Sequence, residues 1–243
     1  MIDVLLDAGA ELALPVGVIA LALLVGRVRD SWLLPLLVLL VLADSLALNL
    51  HTWARLPSLV SSGWNWDGKL AALVLTMGAL LFLPKAELAQ LGMFRGPAAG
   101  SMRPLCITIA VVIAFAVARG CMSSIPQSAE TLIFQATLPG LHEEFAYRGL
   151  WWVLLAATLD RGAIEAGRIP RWTLVITTLL FACAHGVDWS RDSGLMVNNT
   201  ALAMGTLAGT AYGLVQGYGR CLWLTVLVHN LSNIIVHGLQ MAH

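Results

Sequence analysis

The sequence predicts an all-α, membrane-embedded bundle of about eight helices in one domain spanning residues 1–243, and three observations lead there. Only 12% of the 243 residues are charged and 58% are hydrophobic, where a soluble domain carries about 25% charged residues. The mean hydropathy is +0.80. The apolar residues gather in runs near the ~20 needed to cross a hydrocarbon core about 30 Å thick, parted by short polar stretches. Formal net charge is zero, so no nucleic-acid partner is expected. Cys106, Cys121, Cys183 and Cys221 have no CxxC spacing, and neither a disulfide framework nor a thiolate zinc site follows from them. Asp3, Asp7 and Glu11 precede the first basic residue, Arg27, unlike a cleaved signal peptide.

The first expected span covers residues 12–26 and stops at Arg27 and Arg29. The second, residues 32–50, contains Asp44, which is expected to face a neighbouring helix or the interface. Trp53, Trp64 and Trp66 in the following loop read as anchors at headgroup level. A third span over residues 70–83 precedes the longest polar connection, residues 84–104, and a fourth covers 105–118. The fifth begins near Ser128, meets Pro139-Gly140 and runs to about residue 159; proline removes a donor and crowds the preceding turn, so a break is expected there. The sixth covers 172–187, and a polar loop, 188–193, leads to the seventh. That span carries Ala201, Gly205, Gly209, Gly213 and Gly217 at intervals of four, a small-residue stripe suited to close helix packing. The eighth covers 222–239.

The fifth span holds Leu141-His142-Glu143-Glu144-Phe145-Ala146-Tyr147-Arg148-Gly149. Charges at such depth are costly and mark a functional site by default. Glu144 and Arg148, at i,i+4, share a helix face and are expected to pair. Glu143 lies on the neighbouring face and is expected to be left free for chemistry. Two later spans add His185, then His229 and Asn233, again at i,i+4. If these groups converge, they supply a carboxylate base for water, an imidazole to orient it and donors for an oxyanion. Zinc held by Glu143, His185 and His229 is a competing arrangement, though the H-E-x-x-H helix is absent. Cys183 and His185, at i,i+2, diverge on a helix. The G-x-S-x-G elbow is missing, and Ser232 lies at i+3 from His229.

Glu-Glu-x-x-x-Arg (Glu143, Glu144, Arg148), Phe-x-x-x-His (Phe181, His185) and His-x-x-x-Asn (His229, Asn233) resemble the ordered motifs of the CaaX protease and bacteriocin-processing family. These are intramembrane glutamic endopeptidases related to the Ras-converting CaaX proteases. The resemblance covers about residues 125–241, and Trp64-Asn65-Trp66-Asp67-Gly68-Lys69 also looks like a segment common in bacterial members. It implies that Glu143 activates the attacking water, that His185 orients and polarises it, and that His229 and Asn233 donate to the oxyanion. Glu144 and Arg148 would hold the site, with no metal or other cofactor. The implied partner is a membrane-associated protein or peptide: a prenylated CaaX protein, a pheromone or bacteriocin, or a C-terminal sorting signal. The implied location is multi-pass in a bacterial cytoplasmic membrane.

Two other classes compete. An ion-coupled transporter would use a broken helix and intramembrane Glu, His and Arg, but the polar residues fall almost wholly in the second half, without an internal repeat. A catalytically silent scaffold or regulator would not require intact motifs. The loop charges, Arg27, Arg29, Lys85, Arg95, Arg103, Arg161, Arg168, Arg171 and Arg220 against Arg55, Lys69, Arg119 and Arg191, put both termini outside the cytoplasm by the positive-inside rule.

Overall fold

The computed structural model describes residues 33–50, 57–58, 62–83, 99–122, 127–161, 168–190 and 192–242, with isolated positions between them. The expected first span, residues 12–26, Trp53 and most of the connection 84–104 lie outside the described residues. Helix α1 is Leu33–Leu48, α2 is Trp66–Leu81 and α3 is Met102–Cys121. The fifth expected span is divided into α4, Ala129–Gln135, α5, Leu138–Glu144, a π-helical turn, Phe145–Leu150, and α6, Trp151–Leu159. Helix α7 is Arg171–Gly186, α8 is Asn199–Gly219 and α9 is Leu222–Ala242.

The divided span is the centre of the molecule: residues 142–158 are buried without interruption. A helix apolar on every side must be covered on every side, and α1, α2, α7, α8 and α9 surround this one. Its break falls at Ala136-Thr137, two residues before the expected Pro139. Proline is tolerated in a first turn, where its missing N–H would have no partner, and the disruption falls upstream. Asn230 of α9 satisfies the groups this exposes, accepting from the Gly140 N–H (2.9 Å) and donating to the Thr137 carbonyl (3.1 Å). The π turn was not expected; it follows Glu144 directly and contains Arg148.

The expected loop 188–193 is instead the bend of an antiparallel hairpin, β1 Val187–Ser190 and β2 Gly194–Val197. Its first strand alternates apolar and polar residues at Val187, Asp188, Trp189 and Ser190, the period of a strand. Helix α7 begins after Pro170, which offers no side-chain cap. Asp160 at the end of α6 replaces it, accepting from the Thr173 N–H and hydroxyl at 2.8 and 2.9 Å. Burial pushes the Asp160 carboxyl above its ordinary pKa, against the opposing pull of these bonds.

The small-residue stripe faces α7. A Cβ on Gly205 would lie 2.9 Å from the Ala182 Cα, and one on Gly209 3.3 Å from the Thr178 Cα. Around the outside, large apolar side chains face outward: Val74 is 68% exposed, Val111 60% and Leu227 62%. A water-facing surface does not normally carry such a belt. Helices α3 and α9 are long and apolar enough to cross a membrane. The described residues therefore support a helical membrane protein with two such spans.

Candidate active site

Glu143, His185 and His229 converge from α5, α7 and α9. Glu143 Oε2 lies 3.9 Å from His185 Nε2 and 3.9 Å from His229 Nε2. These separations are too long for direct hydrogen bonds, and a water beside the three groups can bridge them. Phe181, one turn before His185, explains the motif's spacing. Its carbonyl accepts from His185 Nδ1 (2.8 Å) and its ring stacks on the imidazole, centroids 4.4 Å apart. That acceptor puts the proton on Nδ1 and leaves Nε2 toward Glu143.

Glu144 is fully buried and pairs with Arg148, Nη1 to Oε1 at 3.2 Å, as the i,i+4 spacing predicts. The same oxygen receives His229 Nδ1 at 2.7 Å, a contact the sequence reading did not foresee. Because Nδ1–H is committed to Glu144, His229 can donate from Nε2 only as imidazolium, for which Glu144 is the adjacent counter-charge. Arg148 also donates to the Gly209 carbonyl at 2.7 Å. Its guanidinium lies 4.8 Å from the Phe181 ring centroid and 5.7 Å from that of Tyr212, within cation–π range. Tyr212 in turn stacks on His229 at 4.4 Å and shares a 2.7 Å hydrogen bond with Ser232. Ser232 also donates to the His229 carbonyl, so its hydroxyl belongs to the support of the histidine.

Glu143 is not free, contrary to the sequence expectation. Lys69 of α2 donates to its Oε1 at 2.6 Å and lies 3.3 Å from His142 Nδ1. His142 Nε2 meets Asp44 Oδ1 of α1 at 2.9 Å. Asp44 thus faces a neighbouring helix, as expected, but the polar groups are not confined to the second half of the chain. A helical wheel separates faces within one helix and is blind to a cation arriving from another. The available signal was that a buried carboxylate requires a partner, and Asp44 lies within an apolar run while Lys69 stands at the start of one.

Two spaces meet at the site. An inner cavity of about 130 Å³, roomy enough for several waters, is lined by Asp44, Lys69, His142, Glu143 and His185. An outer cleft of about 570 Å³ is lined by Arg119, His185, Tyr212, His229 and Asn233. His185, 41% exposed at its side chain, borders both. Asn233, like His229, lines the outer cleft and not the inner cavity. Cys183 is buried.

Residues 125–235 match a family model described as type II CAAX prenyl endopeptidase Rce1-like. That stretch holds all three motifs and leaves out Asp44 and Lys69. No curated protein and no solved structure matches the chain.

Proposed function

We propose that the chain, whose residues 125–235 match the type II CAAX prenyl endopeptidase Rce1-like family model, is a multi-pass intramembrane endopeptidase in which Glu143 activates water. The observation that carries this reading is the Oε2 of Glu143 standing 3.9 Å from two imidazole nitrogens on two other helices. A water between them can pass a proton to Glu143 while its oxygen attacks a peptide carbonyl. The carbonyl then becomes a tetrahedral oxyanion. Asn233, and His229 once protonated, are the donors on the cleft side, where one such donor contributes about 3 kcal/mol. Collapse breaks the C–N bond, and the proton taken from water goes to the leaving amine. Glu144 and Arg148 hold His229 and α8 in register.

The substrate enters by the outer cleft as an extended segment of a membrane-associated protein or peptide. The arrangement is proposed to lie within about eight spans in a bacterial cytoplasmic membrane. With Lys69 turned into the site, the terminal side retains only Arg55, Arg119 and Arg191 among its loop charges, which keeps both termini outside the cytoplasm. A carboxy-terminal fusion active with a periplasmic reporter supports that orientation; one active with a cytoplasmic reporter reverses it. Function is tested by mass spectrometry of membrane and secreted proteins from cells carrying wild type or Glu143→Gln. Fragments that appear only with wild type identify the substrate, and indistinguishable profiles favour a silent scaffold.

A further inference from the structure

Lys69 lies outside the stretch that matches the family, yet the chain devotes a local construction to it. A cation in the first turn of a helix works against the helix dipole, so the stability of α2 does not explain its position. Asn65 caps α2 by accepting from the Gly68 N–H (3.0 Å) and donates to the Leu48 carbonyl at the end of α1 (2.8 Å). A Cβ on Gly68 would strike both Asn65 and that carbonyl. Trp64 and Trp66 each pack 5.0 Å from the Phe134 ring of α4 and donate to Thr131 and Glu130. The start of α2 is thereby pinned to α1 and α4, and Lys69 is aimed at Glu143.

The ammonium is itself oriented. Asp44 can only accept, so His142 carries its proton on Nε2 and presents the Nδ1 lone pair to Lys69. Donation runs in one direction, from Lys69 to His142 to Asp44, and Thr76 adds a hydroxyl 3.5 Å from Asp44. A second ammonium proton goes to Glu143 Oε1. This leaves Oε2 as the oxygen facing His185 and His229.

The geometry points to Lys69, held by His142 and Asp44, as a positioning residue that fixes the rotamer of Glu143 and presents a single oxygen to water. The inference rests on the reading of Glu143 as the base. It extends the working site into α1 and α2, beyond the residues that the family model matches.

The test uses the purified full chain and a fluorogenic farnesylated CaaX peptide, with Glu143→Gln measured in parallel. Lys69→Ala is expected to lower kcat about 10²-fold, the scale of a misplaced reacting group, with KM changed less than about twofold. Ethylamine added to Lys69→Ala is expected to restore kcat about tenfold, and ethanol to restore none, because the cavity then admits an ammonium in place of the missing one. If Lys69→Ala does not fold, Lys69→Met, which keeps the stem's bulk, is read by the same kcat and KM split. Wild-type kcat in the lysine variant beside an inactive Glu143→Gln overturns the role of Lys69 alone, as does equal rescue by ethanol. Activity surviving in Glu143→Gln overturns the base reading and this inference with it.

Discussion

Helix α5 ends in two adjacent carboxylates whose surroundings differ by the side they face. Toward α8 and α9, Glu144 is sealed: Arg148 and His229 share one of its oxygens, and the rings of Phe181 and Tyr212 close over the arginine. Glu143 instead borders a cavity toward α1 and α2, where Lys69 meets one oxygen, and turns the other to His185 of α7 and His229 of α9 across 3.9 Å. Both groups are buried and both have cations within reach. What separates them is room: Glu144 is bonded directly to its neighbours, whereas Glu143 has space beside it for a small reactant. A buried charge is therefore read as scaffold or as chemistry by the volume next to it, not by its burial.

The largest effect expected from this contrast is on catalysis. Glu143→Gln should lower peptide hydrolysis by about 10²- to 10⁴-fold, the range for loss of general-base catalysis, while the amide oxygen still accepts from Lys69 and thermal stability is nearly kept. Full activity of the purified variant would erase the distinction. Glu144→Ala and Arg148→Ala should show the reverse pattern, a loss of about 3–5 kcal/mol of stability from stranding a buried charge, seen as lower abundance and melting temperature. If either melts like wild type, the sealed side is not the scaffold.

A smaller effect tests what holds that side in place. Gly205→Ala puts a Cβ 2.9 Å from the backbone of Ala182 and should cost about 1–3 kcal/mol by overpacking. Gly78→Ala in α2 meets nothing within 4 Å and should stabilise the helix by about 0.5–1 kcal/mol. Equal melting temperatures for the two would count against close α7–α8 packing. The smallest expected effect is none: prolonged chelation should leave activity intact, because the H-E-x-x-H helix is absent and, among the described residues, no group of three His, Cys, Asp or Glu side chains is placed to hold a metal. Activity lost on chelation and restored selectively by zinc would favour the Glu143, His185 and His229 metal site.

Much of the sealed side was legible in the sequence because it is local. The spacing of Glu144 and Arg148 predicts their contact, and glycines at intervals of four predict a close helix partner, which is α7. His185 and His229 stood out as polar residues at depth, and both lie 3.9 Å from Glu143 Oε2; their roles are part of the proposal. The open side was not legible, since Asp44 meets His142 across 98 positions and Lys69 meets Glu143 across 74. No periodicity reports such a pairing. The π turn also escaped, because one additional residue per turn leaves the apolar run unchanged. The hairpin did leave a trace, the alternation over Val187–Ser190, which its shortness obscured.

The Lys69–Glu143 contact has a consequence for how the chain is made. A nascent chain delivers α1 and α2 to the bilayer before α5 has been synthesised, so Asp44 and Lys69 arrive before their partners. A lone charge costs about 2.5–3.5 kcal/mol at the centre of a span and less near its ends, where Asp44 and Lys69 lie. Until α5 follows, the early helices must keep those groups near water, at the interface or in the translocation machinery. Assembly of the site is then also the event that commits the first helices to their final depth, and a chain cut before α5 should be a substrate for membrane quality control.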